Sequence, residues 1–529
     1  MNVAESKVSR AQRRYEARQV EKDARKAETK QRQSEIEARR AEKSKKASET
    51  WNWKKPDRNI RNQKCQFETA DEEMENRHET AAETLKVYKR YLPGILKDLS
   101  EIKDPRNPKK IDHTLSLLML YGIFMFVFHN SSRRDADKDM NMVFMENMRA
   151  FFPELDSLPH SVTLARLLER IDVLQIERLA VNLINRLIRN KKFQNYTVGS
   201  KYIIGIDGTQ KFTREYEWCK NSSKRHKKGQ PEGVNQYYAY ALEACLILPG
   251  GISLPFMTEF LDRHEYNDGG VDTENQKQDS ERKAFYRLAN RLKKYFPQLK
   301  IAVTLDGLYP NGPVVELCRK YQWDYMIVLK DGSLKSVWEY INPLKDKGEL
   351  NEHHQNINGI EQKFYWINGI DYRFGDNGTK AQNLNVVICE ETFMEMDGKT
   401  GYKVPKTKKF AWISEKEINE RNVHKRCNLI GRPRWNIETQ NLVEKHHGYA
   451  YEHCFSYDWE VMKGFHYLMH LAHIINVLTV VSEGLSECVK KSGVRGFIRK
   501  LWLVFSGSIL DIEKLHKLIP ERYQIRLAI

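Results

Sequence analysis

The sequence predicts a mixed α/β protein whose sheet core is interrupted by a β-rich insertion and flanked by an α-helical N-terminal region and a helical C-terminus. Three observations carry this. Apolar residues recur at helical spacing up to about residue 198 and then switch to short β-branched runs. From 199 to 335 such runs alternate with two amphipathic helical stretches. From 336 to 430, Asn-Gly and Asp-Gly pairs (at Asn358, Asn368, Asn377 and Asp397) separate further strand-like runs, before helical spacing returns near Pro433.

The 529 residues suffice for several packed cores. Lys and Arg number 88 against 71 Asp and Glu, a formal charge of +17. Such an excess favours a polyanionic partner, because each neutralised phosphate releases condensed counterions; it does not separate DNA, RNA and anionic membrane. The eight cysteines (Cys65, Cys219, Cys245, Cys318, Cys389, Cys427, Cys454 and Cys488) form no CxxC pair, which suits reduced thiols in the cytoplasm. The apolar run Leu115–Phe128 is shorter than the ~18–20 residues needed to span a bilayer and reads as a buried helix.

Residues 1–75 are rich in Arg, Lys, Glu, Ala and Gln without an apolar heptad, so they read as a solvated helix or a disordered arm. The segment 76–198 reads as helices. His78–Leu99 is amphipathic, Asp104-Pro105-Arg106-Asn107-Pro108 breaks the chain, and Met140–Phe151, Ser161–Ile171 and Val173–Arg189 follow. The short helices on either side of Pro153–Pro159 fit either a plain bundle or a helix-turn-helix DNA reader with Arg166 and Arg170 on its second helix.

Tyr202–Ile206 is a β-branched run leading into Asp207. Tyr237–Leu248 and Ile252–Leu261 form a hairpin about Pro249-Gly250-Gly251, and Ser280–Phe296 is an amphipathic helix. Lys300–Leu305 is a strand leading into Asp306, Pro313–Tyr321 a helix and Tyr325–Leu329 a strand. Three strands, helix, strand, helix, strand is the order of an RNase H-like core, in two parts (199–335 and 431–480). Between them lies the insertion, with strands at Lys363–Ile367, Ile370–Phe374, Leu384–Cys389 and Lys409–Ile413. Residues 481–529 read as a helical C-terminal region, with a dimer interface on helices such as Val494–Phe505 as one reading.

Open α/β cores gather functional groups beyond the carboxyl ends of their strands. Asp207 and Asp306 would converge there if their strands are neighbours, and hard oxygen ligands at one point suit Mg²⁺ or Mn²⁺. Each also reads as an ordinary Asp-Gly turn pair. Arg434, Glu438, Asn441 and Lys445, at i, i+4, i+7 and i+11, form one polar stripe on a helix. That is the pattern of a salt-bridged solvated face, or of a third carboxylate delivered to a metal site between two phosphate-gripping cations. The basic stretch Lys220–Lys228, containing Lys224, Arg225, Lys227 and Lys228, is either a solvated loop or a phosphate clamp close to Asp207. His466, His470 and His473 share a helix face at zinc-like spacing, but no cysteine or carboxylate beside them completes a set, so helix packing is the expected role.

These motifs resemble those of the bacterial insertion-sequence DDE transposases of the Y-R-E-K group (the IS-four superfamily). Ile206-Asp207-Gly208-Thr209 matches that group's first-Asp motif, and Leu305-Asp306-Gly307-Leu308-Tyr309 its second. Arg434, Glu438 and Lys445 match its C-terminal signature in spacing, whereas Gly431 stands where the signature has Tyr. The resemblance covers about 200–480 and implies an RNase H-like core with Asp207, Asp306 and Glu438 as catalytic ligands of two Mg²⁺ or Mn²⁺ ions. It implies DNA as partner, both terminal inverted repeats and target, with cut-and-paste chemistry through hairpin ends in a homodimeric synaptic complex. It also implies an aromatic that holds a flipped base near the insertion, for which Trp412 is the candidate. An RNase H-fold nuclease, or a DNA-binding protein that no longer transposes, remains the alternative.

Overall fold

In the computed structural model, which describes residues 10–50, 67–227, 229–231, 233–262, 274–396 and 402–529, the change of hydrophobic period near residue 200 is a change from helix to sheet. The chain divides into two units, Met1–Glu72 and Glu73–Ile529. In the first, α1 (Arg10–Thr50) is a 41-residue helix. Its side chains from Glu21 to Glu42 are exposed, as its lack of an apolar stripe requires.

The second unit begins with a helical layer. α2 (Ala70–Ser100) buries Leu85, Tyr88, Leu92, Ile95 and Leu99, one face at helical spacing. α3 (Leu115–Val127) is the apolar run; Thr114 caps it by accepting from the Leu117 N–H, and every residue except Ser116 is buried. Among the described residues no helix is long and apolar enough to cross a membrane. α4 (Arg133–Asp139), α5 (Met142–Arg149), α6 (Ser161–Leu168) and α7 (Leu174–Arg189) complete the layer. The connection from α5 to α6 runs over 150–160, far longer than the roughly 3–4 residues of a helix-turn-helix, so these helices do not form that unit. Arg166 and Arg170 are nevertheless exposed.

The strands are β1 (Tyr202–Arg214), β2 (Ser223–His226), β3 (Asn235–Ile247), β4 (Ser253–Phe260), β5 (Ile301–Leu305), β6 (Asp324–Val328), β7 (Asn351–Ile357), β8 (Ile360–Phe374), β9 (Lys380–Met396) and β10 (Lys403–Ser414). α8 (Glu274–Tyr295), α9 (Gly312–Lys320) and α10 (Lys335–Asp346) lie between them, and α11 (Val423–Arg426), α12 (Trp435–His446), α13 (Trp459–Val480), α14 (Ser486–Gly507) and α15 (Ile512–Leu518) follow. One ten-stranded sheet results, in the order β2-β3-β1-β5-β6-β10-β9-β8-β7, with β4 also paired to β3. β1 is antiparallel to β3 and parallel to β5, which is parallel to β6: the RNase H-like arrangement expected from the element order. The insertion does not form a sheet of its own. β10 pairs antiparallel with β6, so the insertion lengthens the core sheet. The two runs 363–367 and 370–374 are a single strand, β8, with an irregularity between Ile367 and Ile370. The apolar face of α14 (Phe497, Ile498, Leu501, Val504, Phe505) is buried within its own chain.

The sheet is covered on both faces. Residues paired across antiparallel strands project to the same side. Gly205 and Asp207 of β1 therefore share a face with their partners Cys245 and Glu243 of β3. α12 packs there: the Cys245 thiol donates to Gln440 Oε1 at 2.8 Å. A small core beneath it holds Ile203, Ile247, Ala302, Met326, Trp412, Ile430 and Ile437. On the other face α8 buries Phe285, Leu288 and Leu292.

Gly205 sets how closely α12 approaches β1. A Cβ there would lie 2.3 Å from Ile437 Cδ1 and 2.7 Å from Ile247 Cδ1. Gly205→Val is expected to lower stability by ~1–3 kcal/mol through overpacking. Ile437→Ala in the same chain should return part of that loss, read as a coupling energy in a denaturant double-mutant cycle. Additive effects would mean that α12 does not rest on Gly205.

Candidate active site

Register alone brings the first two carboxylates together. Ile206 of β1 pairs with Leu305 of β5, so Asp207 and Asp306 follow in step on neighbouring parallel strands. Asp207 does not end its strand, as the sequence suggested; β1 runs on to Arg214, and Asp207 lies mid-strand opposite Glu243. Asp306 does follow the last residue of β5, and its Oδ1 accepts from the Leu308 N–H at 2.8 Å.

The third carboxylate arrives on α12. The chain from α11 passes through a π-helical turn (Cys427–Gly431) and a 3₁₀ turn (Arg432–Arg434) before α12 starts. That path places the guanidinium of Arg434 between two carboxylates. Nη1 donates to Asp207 Oδ2 at 3.0 Å and Nη2 to Glu438 Oε1 at 2.8 Å. The three acids, with Arg434, Lys330, Lys409, Trp412, Trp435 and Gly431, line an open cleft of about 500 Å³. Burial pushes the Asp207 carboxyl up to about 7; Arg434 and the Gly208 N–H oppose the rise, while the charges of Asp306 and Glu281 add to it.

The remaining residues of the predicted site divide. Arg434 is buried at the centre. Lys445 turns away to Glu452, 3.4 Å distant, and to the ring of Tyr451, and does not line the cleft. Asn441 is buried beside it, also off the cleft. Lys224 and Arg225 lie on strand β2, not in a loop. β2 pairs with Tyr237 and Tyr238 of β3, which in turn pair with Arg214 and Thr213 of β1. Six strand residues, roughly 20 Å, therefore separate this basic edge from Asp207, so it is not close to the acids. Arg225 stacks 4.8 Å above Tyr238, and Lys227 pairs with Glu215. Lys228 lies outside the described residues.

Trp412 does border the cleft, but only 2% of it is exposed. It forms wall rather than a free stacking plate. A Cβ on Gly431 would lie 2.9 Å from its Nε1, so the indole fills the space that a side chain at 431 would need. Trp435, 51% exposed and stacked by Arg434 at 4.7 Å, is the most exposed aromatic lining the cleft, beside the half-buried Phe410. Sequence reasoning missed it, and missed Lys330, whose Nζ is 3.4 Å from Asp306 Oδ2. The signal for Lys330 was present: it follows the carboxyl end of β6, next to the strand that delivers Asp306. Glu281 of α8 was also missed. It accepts from Tyr240 at 2.8 Å and Tyr309 at 3.0 Å on the opposite side of the sheet, and nothing in local sequence marks it.

The three histidines of α13 are buried, as helix packing predicts. The expectation that no carboxylate accompanies them fails, because the fold brings Glu243 of β3 and Glu444 of α12 against them from distant parts of the chain.

The family model described as DDE_Tnp_1-associated matches residues 96–184, from the end of α2 into α7. That match indicates a DDE-type transposase at the level of the broad class, through the helical region and not through the three acids. No curated protein matches the chain significantly.

An unfolded Asp titrates near 4, below the value of about 7 for Asp207 in the fold. Between those values the unfolded chain binds fewer protons than the folded one, so the metal-free fold loses stability as pH rises from about 4 to 7. Asp207→Asn lacks this dependence. In chelator, the stability of the parent relative to Asp207→Asn is expected to fall by ~1–3 kcal/mol between pH 5 and pH 8, measured by urea unfolding. A pH-independent difference would show that Asp207 does not titrate in this range.

Proposed function

We propose that the chain is a DNA transposase of the Y-R-E-K group, in which Asp207, Asp306 and Glu438 hold the catalytic metal ions for cutting element ends and joining them to target DNA. The observation that carries this reading is the convergence of three carboxylates from β1, the end of β5 and α12 in one cleft, in the order and on the topology that such chemistry uses. The transposase-associated match over 96–184 supports it independently.

The donor set fits Mg²⁺ or Mn²⁺: the cleft offers carboxylate oxygens and neither imidazole nor thiolate. Two such ions supply charge stabilisation to the attacking and leaving oxygens of an in-line phosphodiester displacement. The chain's own residues do the rest. Arg434 keeps Asp207 and Glu438 together and, being buried and permanently charged, offsets their mutual repulsion. Lys330 and Lys409 at the rim meet the backbone phosphates of bound DNA, and Trp435 offers a face on which a displaced base stacks. Water attacks the phosphorus and the P–O3′ bond breaks, leaving a 3′-hydroxyl and a 5′-phosphate. That hydroxyl then attacks the opposite strand to form a hairpin, and after reopening attacks the target, one phosphodiester forming as another breaks. The basic edge of β2 and the helical layer contact the terminal repeats, within a homodimer in the bacterial cytoplasm.

A plasmid carrying the gene's own flanks, incubated with the protein and Mg²⁺ or Mn²⁺, tests this. Cuts mapping to repeat ends are expected. Asp207→Ala, Asp306→Ala and Glu438→Ala should each reduce cleavage by on the order of 10²–10³ or more, with DNA affinity within a few-fold of the parent. Lys224→Ala should do the reverse, weakening affinity and flattening its salt dependence. Binding without cleavage, unaltered by the three substitutions, would replace the transposase reading with that of a DNA-binding protein.

A further inference from the structure

Glu243, His466 and His470 each present a ligating atom, all within 4.8 Å of one another, and all three residues are buried. The individual separations are informative. Glu243 Oε1 is 3.7 Å from His466 Nε2 and 3.6 Å from His470 Nε2, and Glu444 Oε2 is 3.5 Å from His470 Nε2. These lengths are at or beyond the limit of hydrogen bonding, yet the atoms face each other in the buried interior. Two atoms bound to one tetrahedral zinc at ~2.0–2.1 Å lie about 3.4 Å apart, close to the 3.5–3.7 Å between these carboxylate and imidazole atoms.

A second observation points the same way. Glu444 Oε2 and His470 Nε2, both buried, face each other at 3.5 Å with no closer hydrogen-bond partner, although buried polar atoms in native proteins are almost always paired. Neighbouring side chains hold the rest of the group in place. The Tyr451 hydroxyl donates to Glu243 Oε1 at 2.7 Å, His473 Nδ1 bonds Glu444 Oε1 at 2.6 Å, and the Thr258 hydroxyl lies 3.0 Å from His466 Nε2. Lys211 donates to the Tyr451 carbonyl at 3.1 Å and lies 3.4 Å from His466 Nδ1. Hydrogen bonds that fix Glu243, Glu444 and His466 around the facing Glu444 Oε2 and His470 Nε2 are the surroundings of a metal-binding group.

We propose that Glu243, His466 and His470, closed by Glu444, bind a structural divalent transition-metal ion of the zinc type, separate from the carboxylates of the cleft. Imidazole together with carboxylate selects such an ion over Mg²⁺. Its place, joining β3, α12 and α13, makes it a clamp that holds the helix carrying Glu438 against the sheet.

The test uses the untagged full chain carrying Asp207→Asn, Asp306→Asn and Glu438→Gln, so that the cleft does not contribute. After chelation it is titrated with Zn²⁺ and separately with Co²⁺. One equivalent should bind, thermal stability should rise with Zn²⁺ and not with Mg²⁺, and Co²⁺ should give tetrahedral visible absorption. His470→Gln and Glu243→Gln should each weaken Zn²⁺ binding at least about 100-fold. Should those variants not fold, X-ray absorption on the zinc-loaded protein decides, with two imidazole ligands expected. No uptake, unchanged affinity in His470→Gln, or a shell without imidazole overturns the proposal and leaves a cluster joined by shared protons.

Discussion

Everything in the cleft depends on the Arg434 guanidinium, which binds Asp207 of β1 and Glu438 of α12 at the same time. Carboxylates brought together in a low-dielectric cleft repel one another, and breaking a buried ion pair costs far more than an exposed one. Arg434 is only 7% exposed at its side chain, so its charge is poorly screened and acts on both acids. Its two-pronged geometry matters as much as its charge. A lysine at 434 supplies a point charge and cannot span two carboxylates with fixed donors.

The route by which Arg434 reaches its place also accounts for the glycine at 431. The π-helical turn before α12 presses Gly431 against Trp412 while its carbonyl accepts from the Thr304 hydroxyl at 3.3 Å. Trp412 stands there because β10 pairs with β6, bringing the insertion into the core sheet beside the strand next to Asp306. The insertion therefore builds one wall of the cleft, and the tryptophan takes up room that a tyrosine at 431 would need. Trp435, on the outer side, is the exposed aromatic.

Much of this was legible in the sequence, for local reasons. β-branched runs gave β1 and β5, the turn at Pro249–Gly251 gave the β3–β4 hairpin, and the spacing of Arg434 and Glu438 put both on one helical stripe. What failed depended on where strands stop and what lies opposite them. An Asp-Gly pair signals a turn, so Asp207 read as a strand end; pairing with β3 keeps the strand going through it, because Gly208 packs under the Tyr240 ring where a side chain would collide. Lys445 fell on the right stripe, yet its side chain is drawn to Glu452. Lys224 and Arg225 lie near Asp207 in sequence but are carried along the strand direction away from it. Glu243 and Glu444 read as unremarkable, since only tertiary packing sets them against His470.

The register that pairs Asp207 with Glu243 has a consequence for how the molecule works as a whole. Paired residues share a face, so the acid in the cleft and the acid in the buried cluster are neighbours on one surface of the β1–β3 ladder. α12 lies over that surface and contributes to both: Glu438 near its start reaches the cleft, and Glu444, six residues later, reaches the histidines of α13. A helix fixed at two points along its length cannot slide or rotate without disturbing both. The buried cluster therefore holds α12, and with it Glu438, in position from the interior of the protein.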